Sequence, residues 1–149
     1  MKFYIPFGDW SDDGHGKYEN LLVEAPSMEG LLMAQKQIKE RYGKDFFSHI
    51  ADEYEYPSIG DDVYEALSDT GYSLKRFLKV QGINEDLFSS WDEYKNDEAS
   101  NYISLHAIQD IFVWLLNAYG ARIKVLEKIP QINNWTCRGF EAVGYGCFD

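Results

Sequence analysis

From Ser104 to Tyr119 the chain is apolar on nearly every side, through Leu105, Ala107, Ile108, Ile111, Phe112, Trp114, Leu115, Leu116 and Ala118. His106, Asp110 and Asn117 leave only a narrow polar stripe, and Gly120 supplies a C-terminal stop. A helix with so little polar surface has to be covered by other elements, so the segment predicts a long buried helix at 104–119. A chain of 149 residues has the length of one domain and can bury about 68–70% of the surface its unfolded form exposes.

The two ends of the chain read as strands. Residues 2–8 are β-prone, with Pro6 confining them to a strand edge or end. In residues 18–25, Leu21, Val23 and Ala25 fall on one face, and Asn20, Leu22 and Glu24 on the other. Ala121–Lys128 alternates in the same way, and Phe140–Phe148 reads as a last strand weakened by Gly144 and Gly146.

Between the ends the pattern turns helical. Ser27 caps a helix carrying Met28, Leu31, Leu32, Gln35, Ile38 and Tyr42, ended by Gly43. Phe46, Phe47, Ile50 and Tyr54 suggest a short helix stopped by Pro57. Asp61 or Asp62 caps another through Val63, Ala66 and Leu67, and Leu74, Phe77 and Leu78 favour helix over strand. Asn84 is placed to cap a segment through Leu87, Phe88 and Trp91. Strands and helices segregate rather than alternate. The expected fold is therefore a single α+β domain over residues 1–149: a mostly antiparallel sheet from an N-terminal hairpin and C-terminal strands, packed with the long helix and several shorter ones.

The net charge of −11 argues against direct nucleic-acid binding, which needs Lys and Arg to displace counterions. The acids are concentrated in the middle. Asp45–Leu74 carries eight carboxylates and no Lys or Arg, and Glu85–Ser100 carries six more against Lys95 alone. Most surfaces mix signs. Here acids interleave with tyrosines in Glu53-Tyr54-Glu55-Tyr56 and Asp61-Asp62-Val63-Tyr64-Glu65. Tyrosine offers rigid contact area and carboxylates steer a basic partner, so these eight residues other than Val63 form the expected partner surface. Nuclease inhibitors and immunity proteins share this profile: small, acidic, rich in aromatics and without a catalytic motif. The expectation is a non-enzymatic binding protein of that type, engaging a basic protein.

A second reading attaches to residues 9–16, Asp-Trp-Ser-Asp-Asp-Gly-His-Gly, at the tip of the expected hairpin. Asp9, Ser11 and Asp13 fit the first, third and fifth ligand positions of a calcium loop, Gly14 fits its turn, and the His15 carbonyl would follow. The match ends there, because Asn20 stands where a bidentate Glu belongs and the flanks are strands. Turn-building accounts for the same residues, since Asp, Ser and Gly bond their own backbone. The alternative function is a divalent-cation site of calcium or His/carboxylate type, or a hydrolase, at this loop. His49 with Glu53, and His106 with Asp110, are spaced four apart and would share helical faces.

No nucleophile elbow, phosphate loop or dinucleotide fingerprint occurs, and no organic cofactor is expected. Cys137 and Cys147 read as free thiols, with a bridge between them as the alternative. No apolar run approaches the roughly 20 residues of a membrane span. The N-terminal residues lack the apolar region of a secretory signal, so the expected location is cytoplasmic.

Overall fold

Serine hydroxyls start most of the helices by accepting the backbone N–H three residues on, which satisfies one of the four orphan donors of a helix N-terminus. Ser27 does this for α1 (Met28–Tyr42), Ser73 for α3 (Leu74–Gln81), Ser90 for α4 (Trp91–Lys95) and Ser104 for α5 (Leu105–Ala118). The exception is α2 (Asp61–Thr70), whose cap is Gly60 and whose first turn carries Asp61 and Asp62 against the helix dipole. The computed structural model describes residues 1–5, 7–10, 16–50, 59–101, 103–132 and 147–148.

The strands among them are β1 (Lys2–Ile5), β2 (Gly8–Trp10), β3 (Gly16–Glu24), β4 (Lys124–Ile132) and β5 (Cys147–Phe148). β1 and β2 lie in line along one side of β3, pairing with its far and near halves, and Glu19 N donates to Phe7 O between them at 3.0 Å. The gap contains Pro6, a residue with no N–H to give a ladder. β4 covers the other side of β3, and β5 pairs with the outer edge of β1. The spatial order is thus β4, β3, β1 with β2, then β5, antiparallel throughout. A bulge between Leu22 and Val23 leaves Leu126 as the extra residue of β4.

One face of the sheet is apolar because its side chains alternate. Phe3, Ile5, Phe7, Leu21 and Val23 are each 1% exposed or less. They join a core with Leu31, Ile38, Phe46, Val63, Leu67, Phe77 and the buried side of α5. α5 is the hub of the helical layer and packs against α1, α2 and α3. Phe112 on α5 meets Phe7 edge-on at 5.3 Å and Phe47 at 5.7 Å, which ties helix, sheet and the 3-10 turn Phe46–His49 together.

The α+β class, the antiparallel sheet and the central helix are as expected from sequence. Several boundaries differ, for local reasons. The strand expected from Ala121 begins at Lys124, because Gly120 and Arg122 have φ of 92° and 58°. Asn117 pins that turn, accepting from Ile123 N and donating to Ile123 O at 3.0 Å. Asn84 caps no helix; its Oδ1 accepts from Asp86 N in a local turn, Leu87 is exposed, and the helix starts at Trp91 under Ser90. The short helix expected from Phe46 is a 3-10 turn ending at His49. Of the strand expected at 140–148, residues 140–146 lie outside the described residues.

Candidate functional site

The acidic middle is built around the N-terminal turn of α2. Asp62 Oδ1 accepts from Val63 N at 2.9 Å, and Oδ2 lies 2.7 Å from His49 Nδ1. Gly60 makes this approach feasible: a Cβ there would stand 2.8 Å from both Asp62 Oδ1 and His49 Cβ. Gly60 N also donates to His49 O at 2.8 Å. His49 is thereby fixed to Asp62, the carboxylate thirteen residues on.

Asp61, with its side chain 95% exposed, reaches Lys95 Nζ on α4 at 3.5 Å. The same ammonium lies 4.8 Å from the centre of the Tyr64 ring, and Tyr64 meets Trp91 edge-on at 5.6 Å. Trp91 in turn packs on Phe77 and Tyr94. These contacts set α2 beside α4, so the two acidic stretches meet where Asp61 reaches Lys95, 34 residues on in sequence. Burial, followed by the charges of Tyr94 and Asp61, raises the Tyr64 hydroxyl well above its usual range, so it stays a neutral donor.

In the same two stretches Glu65, Asp69, Asp92, Asp97 and Glu98 are exposed. Asp69 is tied to Arg41 at 3.5 Å and to the Tyr42 hydroxyl at 2.8 Å. Glu93 accepts from Ser89 N at 2.9 Å and Ser89 Oγ at 2.6 Å, while Ser90 Oγ accepts from Glu93 N at 3.1 Å. That exchange closes the start of α4, and the bonds from Ser89 hold the Glu93 carboxyl below its usual value. Of the expected partner surface, Asp61, Asp62, Tyr64 and Glu65 are brought together on α2; Glu53, Tyr54, Glu55 and Tyr56 lie outside the described residues. Tyr64 is a packed member of the α2–α4 contact rather than a freestanding anchor.

β2 and β3 form the two flanks of the hairpin, with Asp9 opposite Lys17 and Trp10 opposite Gly16. Strands therefore border the loop, unlike the helices of an EF-hand. Ser11, Asp13 and His15 lie outside the described residues. Among the described residues no group of three or more His, Cys, Asp or Glu side chains is arranged to hold a metal ion.

His106 and Asp110 share a face of α5 as the spacing predicts, but each turns to another partner. His106 Nε2 lies 3.5 Å from Glu19 Oε1 on β3. Asp110 takes Arg76 Nε and Nη2, both at 2.8 Å, and the Tyr72 hydroxyl at 2.7 Å. Burial works to raise the Asp110 carboxyl, but the bonds from Arg76 and Tyr72 and the charges of Arg76 and Lys128 outweigh it and hold it low. Arg76, Tyr72 and Gln109 carry no sequence motif. Gln109, adjoining the polar stripe of an otherwise apolar helix, is the one with a signal in the sequence.

Comparison with protein families, with curated proteins and with solved structures finds no match to this chain. Among the described residues no helix is long and apolar enough to cross a membrane.

Proposed function

We propose that this chain is a small acidic binding protein, of inhibitor or immunity type, that takes a basic protein partner on the surface formed by α2 and α4. The observation that carries this reading is the junction at Lys95, where Asp61 and Tyr64 meet the acidic stretch of α4. One lysine, spent on Asp61, stands against the exposed Glu65, Asp92, Asp97 and Glu98. A field of one sign raises the encounter rate with a basic surface, and the edge-on packing of Tyr64 on Trp91 holds α2 and α4 side by side. Carboxylates there would occupy a groove that otherwise receives phosphates.

The test is association with a panel of basic nucleases, immobilised and read by surface plasmon resonance. Binding to a member of the panel should slow at least about tenfold between roughly 0.05 M and 0.5 M salt. A combined Asp61→Asn, Glu65→Gln, Asp92→Asn variant should slow association at low salt while leaving the melting temperature near that of the parent. Binding indifferent to salt and to neutralisation, or absent across the panel, would overturn the proposal.

A further inference from the structure

A cleft of about 400 Å³ opens where α3 and α5 meet the β3–β4 pair. Its walls are aliphatic: Leu21 from β3, Val80 from α3, Val113 from α5 and Val125 from β4. Such walls favour the burial of a small apolar group. The polar groups among them fall into two sets of opposite need.

Cations form the first set. Arg76 commits Nε and Nη2 to Asp110, and its guanidinium lies over the Trp114 ring at 4.8 Å, which fixes its plane. The outer Nη1 edge of the fork takes no part in that pair. Lys128 stands near enough to Asp110 to act on its charge, yet makes no ion pair among the described residues. The one carboxylate among the described lining residues, Asp110, is already engaged by Arg76 and Tyr72. Lys128 and the outer edge of Arg76 are left to attract an anion.

Acceptors form the second set. Gln109 is 2% exposed; its Nε2 donates to Glu19 O at 3.0 Å, and its buried Oε1 has no hydrogen-bond partner. Glu19 Oε1 is also buried without one, with His106 Nε2 at 3.5 Å. Folded proteins seldom leave buried acceptors without donors. Here two belong to residues already joined by the bond from Gln109 Nε2 to Glu19 O, one of them on a carboxylate beside a histidine that lines the cleft and is more than half exposed.

We propose that this cleft binds a small zwitterionic amino acid with an aliphatic side chain. Its carboxylate pairs with Lys128 and the outer edge of Arg76, and its side chain lies among the valines. The His106 ring swings aside, and the ammonium donates to Glu19 Oε1 and Gln109 Oε1. An ammonium supplies three donors, enough for both acceptors. Phosphate is disfavoured, because the inner fork of Arg76 is spent and the Glu19 and Asp110 carboxylates repel a second charge.

The test is a two-dimensional NMR titration of the full chain, following the Gln109 side-chain amide and the Val113 and Val125 methyls. The probes are L-leucine, 4-methylpentanoate, which lacks the amine, and isoamylamine, which lacks the carboxylate. L-Leucine should shift these signals saturably at millimolar concentration, and each truncated probe should bind at least about fivefold more weakly. Glu19→Gln should abolish the preference for leucine over 4-methylpentanoate, and Lys128→Gln, at an exposed position, the preference over isoamylamine. The proposal is overturned if leucine gives no saturable shift, if the three probes bind alike, or if both preferences survive the substitutions. Should Glu19→Gln fail to fold, Lys128→Gln decides alone.

Discussion

Arg76 and Asp110, on separate helices and 34 residues apart, form a two-bond ion pair with both contacts at 2.8 Å. The Tyr72 hydroxyl completes the carboxylate, and Trp114 backs the guanidinium. Half exposure of Arg76 admits solvent screening, so a double-mutant cycle with Arg76→Gln and Asp110→Asn should give a coupling of about 1–2 kcal/mol.

The same pair sets a pH dependence. The folded Asp110 carboxyl is held below its ordinary value of 3.8, so its contribution is complete above the unfolded value and is lost as pH falls through the folded one. The difference in urea midpoint between the parent and Asp110→Asn should therefore be constant above about pH 5 and narrow steadily below about pH 4.

Two glycines should resist substitution for different reasons. Gly60 has φ of −69°, so Gly60→Ala strains no backbone, but its methyl meets Asp62 Oδ1 and His49 Cβ at 2.8 Å. Overpacking of this kind costs about 1–3 kcal/mol and should displace the His49 ring resonances. Gly71 has φ of 77° with nothing within 4 Å of a Cβ, so Gly71→Ala should cost about 1–2 kcal/mol through the backbone alone and leave His49 untouched.

Phe112→Ala should be among the most damaging single changes. The ring is fully buried between Phe7 of the sheet and Phe47 of the 3-10 turn. Its removal should lower the unfolding free energy by about 3–5 kcal/mol in urea titration.

Ser104→Ala should cost about 1 kcal/mol, because Ala107 N loses its acceptor at the start of α5. Replacement by Asp should recover most of that loss in thermal melts, since a carboxylate serves the same N–H and faces the dipole favourably.

Much of the fold is legible because its signals are local. Ser27, Ser73 and Ser104 stand before apolar runs of helical period, and each caps the helix that follows. The alternation of Leu21, Val23 and Ala25 names the buried face of β3. What is not legible is set by contacts between elements. His106 and Asp110 sit at the right spacing for a pair, yet Asp110 faces α3, where the fork of Arg76 offers two bonds in place of one. Asn84 has the side chain of a cap, but that side chain closes on Asp86 N two residues away and forms a turn instead. The meeting of Asp61 with Lys95 depends on how α2 and α4 pack through Tyr64 and Trp91, and no spacing rule reaches across that distance.

The sheet has a consequence for the order in which the protein can assemble. β1 lies between β3 and β5, and Phe3 is paired with Phe148 across nearly the whole chain. During synthesis β1 can zip onto β3 early, while its other edge waits for Cys147–Phe148, made far later than β3. For that interval the nascent chain presents a bare row of N–H and C=O groups, the kind of edge that recruits foreign strands. Closure by β5 is thus a long-range step, and the yield of native protein should depend on how quickly it follows the pairing of β1 with β3.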